Sequence, residues 1–147
     1  MDTAETIAPG AIFETVGMNR KRVFKTRSFD RWARKVLPDP LLCRAAQEIE
    51  QGQYEADLGH GVCKKRVARP GQGKRGSTRT LVAKQHVDAI IFLVGREKSA
   101  PGPDFPDPVV EAAKAIAADL HVQPMQKLGE LTDAGLLKEI CHAEQER

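Results

Sequence analysis

Side chains that ordinarily carry acid–base or metal chemistry are scarce in this sequence, which has one Tyr, four His and three Cys in 147 residues. Cys43, Cys63 and Cys141 are widely spaced and contain no Cys-x-x-Cys pair. That argues against a disulfide framework and a structural zinc site, and predicts free thiols or small buried hydrophobes. His60, His86, His121 and His142 are equally dispersed, with no two at helical metal-ligand spacing, so no metal or other cofactor is expected. Long apolar runs are also missing. The longest, Ala89 to Val94, is far too short to span a bilayer, and the amino terminus lacks the basic-then-apolar order of a secretory signal. These absences predict a cytoplasmic protein with no membrane partner.

Acidic residues are absent from one stretch in particular, VCKKRVARPGQGKRGSTRTLVAK, residues 62–84. It holds Lys64, Lys65, Arg66, Arg69, Lys74, Arg75, Arg79 and Lys84 with no Asp or Glu. Like charges crowded on a hairpin repel one another, so a polyanionic partner is the first expectation. Gly71, Gly73 and Gly76 lie among the loop cations and let backbone N–H groups approach a phosphate. The spacing misses the phosphate-loop pattern of nucleotide hydrolases, and a strand rather than a helix follows, which excludes a nucleoside-triphosphate site.

Net charge is +3, unevenly spread. Residues 20–98 hold 19 of the 23 Lys and Arg against 8 acids, whereas residues 99–147 hold 4 against 9. This predicts a basic working face and an acidic carboxy-terminal segment beside it. The length suits one domain. Residues 1–17 lack either period and read as a disordered tail, with a single domain over residues 18–147.

Arg22 to Thr26 reads as a short strand. Ser28 is placed to cap a helix with Phe29, Trp32, Ala33 and Val36 on one stripe, and Pro38 ends it. Asp39 and Pro40 open a second helix that buries Leu42, Ala45, Ala46 and Ile49 and stops at Gly52. So short a link predicts an antiparallel helix hairpin, with Trp32 in the core. Period two then takes over, and residues 54–58, 62–68, 78–84 and 88–94 read as an antiparallel meander whose apolar last strand is covered on both faces. Alternation places Lys64 and Arg66 on one face and Lys65 on the other. His86 reads as an exposed turn residue. Residues 99–106 form an irregular link, and Asp107 and Pro108 open a helix that buries Val109, Ala113, Ile116, Ala117 and Leu120. Residues 125–131 and 132–140 are mostly helical by pattern. The expected fold is α+β: an N-terminal helix hairpin packed on a small antiparallel sheet, with a C-terminal helix beside the meander.

The run Lys65, Arg66, Val67, Ala68, Arg69, Pro70, Gly71, the Gly73–Lys74 pair and the Arg79–Thr80 strand resemble the HigB-like branch of the RelE/ParE superfamily of bacterial toxins. FKTRSFDRWARK, residues 24–35, resembles the family's opening, and ADLGHGV, residues 56–62, its second strand and turn. The resemblance spans about residues 20 to 140. It implies a toxin of a type II toxin–antitoxin pair: a metal-independent endonuclease that cleaves mRNA on the translating ribosome, inhibits translation, and is held by a cognate antitoxin. In that reaction a 2′-hydroxyl attacks the adjacent phosphorus and a 5′-oxygen leaves, which calls for a base, an acid and cations around the pentavalent phosphorus.

Carried onto this chain, the resemblance makes Lys65, Arg66, Lys74 and Arg79 the expected catalytic residues. Lys64, Arg69, Arg75, Lys84, Arg96 and Lys98 are the expected RNA contacts. The chain departs from the branch where Ser77 and Thr78 stand in place of glycine and tyrosine, and where Val94, Gly95 and Arg96 stand in place of an aromatic after the last strand. Acid–base roles therefore fall on Lys65, Lys74, Lys98 or His86. Two other readings stay open: a non-enzymatic module of the same fold that inhibits DNA gyrase or only binds RNA, and a plain basic domain with a structural role.

Overall fold

The computed structural model describes residues 20–71, 77–97 and 104–141, and over these the chain begins with a strand rather than a helix hairpin. In order the elements are β1 (Arg22–Thr26), α1 (Arg27–Ala33), α2 (Asp39–Glu50), β2 (Ala56–Gly59), β3 (Val62–Ala68), β4 (Ser77–Ala83), β5 (Ala89–Glu97), α3 (Asp107–His121), α4 (Met125–Asp133) and β6 (Leu137–Ile140). The tail over residues 1–17 lies outside the described residues.

Helix α1 starts earlier than Ser28 allows, because Thr26 is the cap: its Oγ1 accepts the Phe29 N–H at 3.2 Å and donates to the Leu93 carbonyl at 3.1 Å. Helix α2 follows Pro38, carries Pro40 in its first turn, and buries Leu42, Cys43, Ala45, Ala46 and Ile49.

The sheet has six strands in the order β2-β3-β4-β5-β1-β6. The meander β2 to β5 is antiparallel as expected, but β1 inserts beside β5 in parallel register, which makes the sheet mixed. The chain also ends in a strand, β6, antiparallel to β1, where a helix was expected. Leu137 and Ile140 explain the misreading. Their spacing of three fits a helix stripe, yet in a strand it sends them to opposite faces, and both faces here are covered: Leu137 joins one core cluster and Ile140 the other.

Val23, Phe29, Leu42, Ile49, Val67, Val82 and Phe92 form the core under α1 and α2, while Phe24, Leu81, Ile91, Leu93, Ala113, Ala117 and Leu128 form the core under α3 and α4. The acidic carboxy-terminal segment thus packs on the meander as its composition predicts, although Ile116 faces solvent at 46% exposure. Strand β5 is buried from Ala89 to Leu93, as a doubly covered strand must be.

The cysteines overturn an expectation. Cys43 of α2 and Cys141, just after β6, form a disulfide with Cα atoms 5.5 Å apart. The pair is 98 residues apart in sequence, so spacing carried no signal, and only the return of β6 to the sheet beside β1 brings them together. Cys63 is the free, buried cysteine.

Candidate nucleic-acid interface

Strand register builds the site. Arg66 of β3 is paired with Arg79 of β4, and Arg79 with Arg96 of β5. Directly opposed residues on antiparallel strands share a face with Cβ atoms about 4.5–5.5 Å apart, so three arginines form one row across three strands. Lys64 lies two residues along β3 on the same face. This is the face of α3, since Leu81 and Ala83, which share the face of Arg79 along β4, belong to the core beneath that helix.

A carboxylate meets the row. Asp104, just before α3, bonds Lys64 Nζ through Oδ2 and sits 3.0 Å from Arg79 Nε through Oδ1. Arg69, just beyond β3, reaches Glu97 at the end of β5 at 3.3 Å. Nothing in the sequence marked Asp104, which stands in a Pro-rich link without a visible counter-charge.

Lys65 points the other way. It is buried, pairs with Glu48 of α2 at 2.8 Å, and donates to the Gln53 carbonyl at 2.8 Å. Thr78 and Thr80 share this second face, and their hydroxyls donate to the Val67 and Lys65 carbonyls at 2.9 Å each, which pins the β3–β4 register. A cleft of about 430 Å³ opens on that side between α2 and β3, with Arg44, Glu48, Glu55, Lys65 and part of Arg66 in its wall. Glu48 and Glu55 offset two of its three cations, so it is a poorer seat for a polyanion than the row.

The remaining titratable candidates gather at the opposite end of the sheet. Lys84 follows β4, pairs with Asp57 at 3.2 Å, and stands 5.3 Å from the Tyr54 ring centroid. Its separation from Arg79 along the strand is about 16 Å at the usual rise. His86 is not the exposed turn residue expected but is 1% exposed, with both nitrogens engaged. The Asp88 N–H donates to Nδ1 at 2.9 Å, which leaves Nε2 to donate to the Gln123 carbonyl at 2.7 Å. His121 Nε2 accepts the Gln85 N–H at 3.1 Å. Burial, with the charges of His86, Lys21 and Lys84 behind it, lowers the His121 pKa. The His121 ring lies on Gly61, where a Cβ would meet Cε1 at 2.3 Å and φ is +77°. His60 forms the turn ahead of β3.

The structure therefore brings Lys64, Arg66, Arg79 and Arg96 together, sets Lys65 on the other face, and sets Lys84 at the other end. Lys74, Arg75 and Lys98 lie outside the described residues. Among the described residues, no group of three or more His, Cys, Asp or Glu converges as a metal site, and no helix is long and apolar enough to cross a membrane.

A family model described as the RelE toxin of the RelE/RelB toxin–antitoxin system matches residues 21–140. No curated protein matches the chain. The matched span runs from β1 to the end of β6 and so includes the whole arginine row.

Proposed function

We propose, from the premise that the chain belongs to the RelE toxin family of toxin–antitoxin systems, that it is an mRNA endonuclease of the HigB-like branch, acting on the translating ribosome and held in check by a cognate antitoxin. The observation that carries this reading is the in-register row Arg66–Arg79–Arg96 with Lys64 beside it. Cations aligned on adjacent strands suit a linear polyanion, and the RNA backbone presents its phosphates in a line.

In this reading Arg66 and Arg79, held on paired strands, stabilise the charge that builds on the pentavalent phosphorus. Lys64, Arg69 and Arg96, with Lys74, Arg75 and Lys98 close by in sequence, hold neighbouring phosphates. Lys65 anchors β3 beneath α2 through Glu48 rather than touching substrate. Growth arrest on expression, followed by mapping of RNA ends, tests the proposal. Cleavage within translated codons supports it, and intact mRNA under full arrest overturns the nuclease.

One observation favours a second reading, a non-enzymatic binding module. Among the described residues Tyr54, His60, His86 and His121 all stand at the far end of the sheet from the row, so none of them serves as acid or base there. Supercoiling changes or DNA breaks with intact mRNA point to that module instead.

A further inference from the structure

The Asp104 carboxylate does what a phosphate would do at this site. It spans the basic row with one oxygen toward Lys64 and the other toward Arg79, all three side chains being 26–33% exposed. Two oxygens of one anion each meeting a cation is also how a phosphate diester is gripped. The fit is incomplete. Oδ1 is out of solvent and accepts no hydrogen bond, although Arg79 Nε is 3.0 Å away. A buried acceptor without a donor is costly, and a ligand with better-directed oxygens removes that cost. Asp104 reaches two of the four cations that strand register places on this face, Lys64 and Arg79.

Resting on the RNA reading above, we propose that Asp104 is an internal stand-in for a backbone phosphate: it occupies the Lys64–Arg79 seat in the free protein and is displaced by a phosphate diester of single-stranded RNA. Occupancy by Asp104 lowers the affinity for RNA and keeps the like-charged strands compatible when no RNA is present. The displacement breaks no covalent bond and needs only a rotation of the Asp104 side chain away from Lys64 and Arg79.

The test measures binding of a labelled single-stranded oligoribonucleotide to the full chain at several salt concentrations. The proteins are the parent, Asp104→Asn, Lys64→Ala and the double variant, with Asp107→Asn as a control. Asp107 is exposed in the first turn of α3, so its substitution makes the same change in net charge without touching the row. Asp104→Asn is expected to tighten binding about two- to fivefold, the scale on which a partly exposed ion pair competes, and Asp107→Asn to change it much less. Lys64→Ala is expected to cost more affinity in the Asp104→Asn background than in the parent, because there Lys64 has no internal partner to leave. If Lys64→Ala weakens binding but Asp104→Asn leaves it unchanged or weaker, Asp104 positions the cations and the proposal falls while the RNA site stands. Equal tightening by both Asn variants reduces the effect to net charge and also overturns it. If Lys64→Ala changes nothing in either background, the RNA site itself is lost. A urea melt of each variant separates loss of binding from loss of fold.

Discussion

The Trp32 ring lies so close over Gly95 that a Cβ at position 95 would sit 1.9 Å from Cζ3, with two more ring atoms within 2.5 Å. Gly95 pairs with Thr80 on β4, and Trp32 stands edge-on to Phe29 at 5.4 Å between ring centroids. The glycine therefore seats α1 on β5 one residue before Arg96 enters the row. Gly95→Ala should destabilise the protein by about 1–3 kcal/mol, the usual cost of overpacking. A urea titration followed by Trp32 fluorescence checks this, and an unchanged midpoint would mean that the ring moves aside freely.

The Cys43–Cys141 disulfide ties the last strand to α2. Breaking it should lower stability by about 2–4 kcal/mol, since the loop it closes is long. Cys63 gives the thiol count its contrast, because burial pushes its pKa up to about 12 and keeps it unreactive in the fold. An aromatic disulfide reagent should therefore find no fast-reacting thiol among these three in the native oxidised protein. It should find one after unfolding and three after reduction and unfolding. A fast native thiol at either Cys43 or Cys141 contradicts the cross-link.

How much of this was legible in the sequence depended on which interactions are local. The alternation of β3 placed Lys64 and Arg66 apart from Lys65, and the hydrophobic run of β5 announced a covered strand, because both follow from period two within one element. The arginine row needed more, since Arg79 and Arg96 align only through a register that includes an irregularity between Leu81 and Val82. Asp104 and the disulfide depend on where distant segments return, which no window of sequence contains. His86 was misread because a turn residue is ordinarily solvated, whereas here the α3–α4 junction covers it through Gln123.

Lys25 is 2% exposed and bonds Asp30 of α1 at 2.7 Å and Asp39 of α2 at 2.8 Å. Burial alone would raise the Asp30 pKa, but the Lys25 hydrogen bond and the charges of Lys25, Lys138 and Arg34 outweigh it and hold the carboxyl below its usual range. A carboxyl so depressed stabilises the fold above its unfolded pKa, and that contribution is lost as pH falls through the folded value. Lys25→Met leaves two carboxylates facing each other and should cost about 3–5 kcal/mol near neutral pH. Because protonation relieves that repulsion, the deficit relative to the parent should shrink toward pH 4. Denaturation at a series of pH values reads this directly, and a deficit independent of pH would assign the loss to packing.

His121 predicts a second pH dependence at milder acidity. Its neutral ring accepts the Gln85 N–H and rests on Gly61, with Lys21, Lys84 and His86 nearby, so its folded pKa lies below the ordinary histidine value. The stabilisation is complete above the unfolded pKa, about 6.5, and drains away as pH drops through the lower folded value. His121→Gln keeps an acceptor but cannot titrate, and should flatten the stability profile just below about pH 6.5. A variant as pH-sensitive as the parent in that window would place the titration elsewhere.

The arginine row and Lys65 should separate cleanly by phenotype, because they lie on opposite faces of the same hairpin. Lys65→Ala leaves Glu48 without its partner and the Gln53 carbonyl without a side-chain donor, so its effect should appear in the melting temperature, with RNA affinity kept by the folded fraction. On the proposed nuclease reading, Arg66→Ala and Arg79→Ala should melt close to the parent and instead reduce the cleavage rate at saturating RNA by about 100-fold, since that reading puts these strand-held guanidinium groups where transition-state charge develops. Lys74→Ala, in a glycine-rich stretch of sequence, should behave as a loss of binding: turnover at saturation survives, while the slope of log affinity against log salt falls by about 0.7 for the one single-strand phosphate contact removed. Measuring melting temperature, rate at saturation and salt slope on all four variants gives each residue three independent readouts. Should Arg66→Ala and Arg79→Ala arrest growth as fully as the parent, the row does not carry the toxicity. The antitoxin would then be guarding some other surface of this fold.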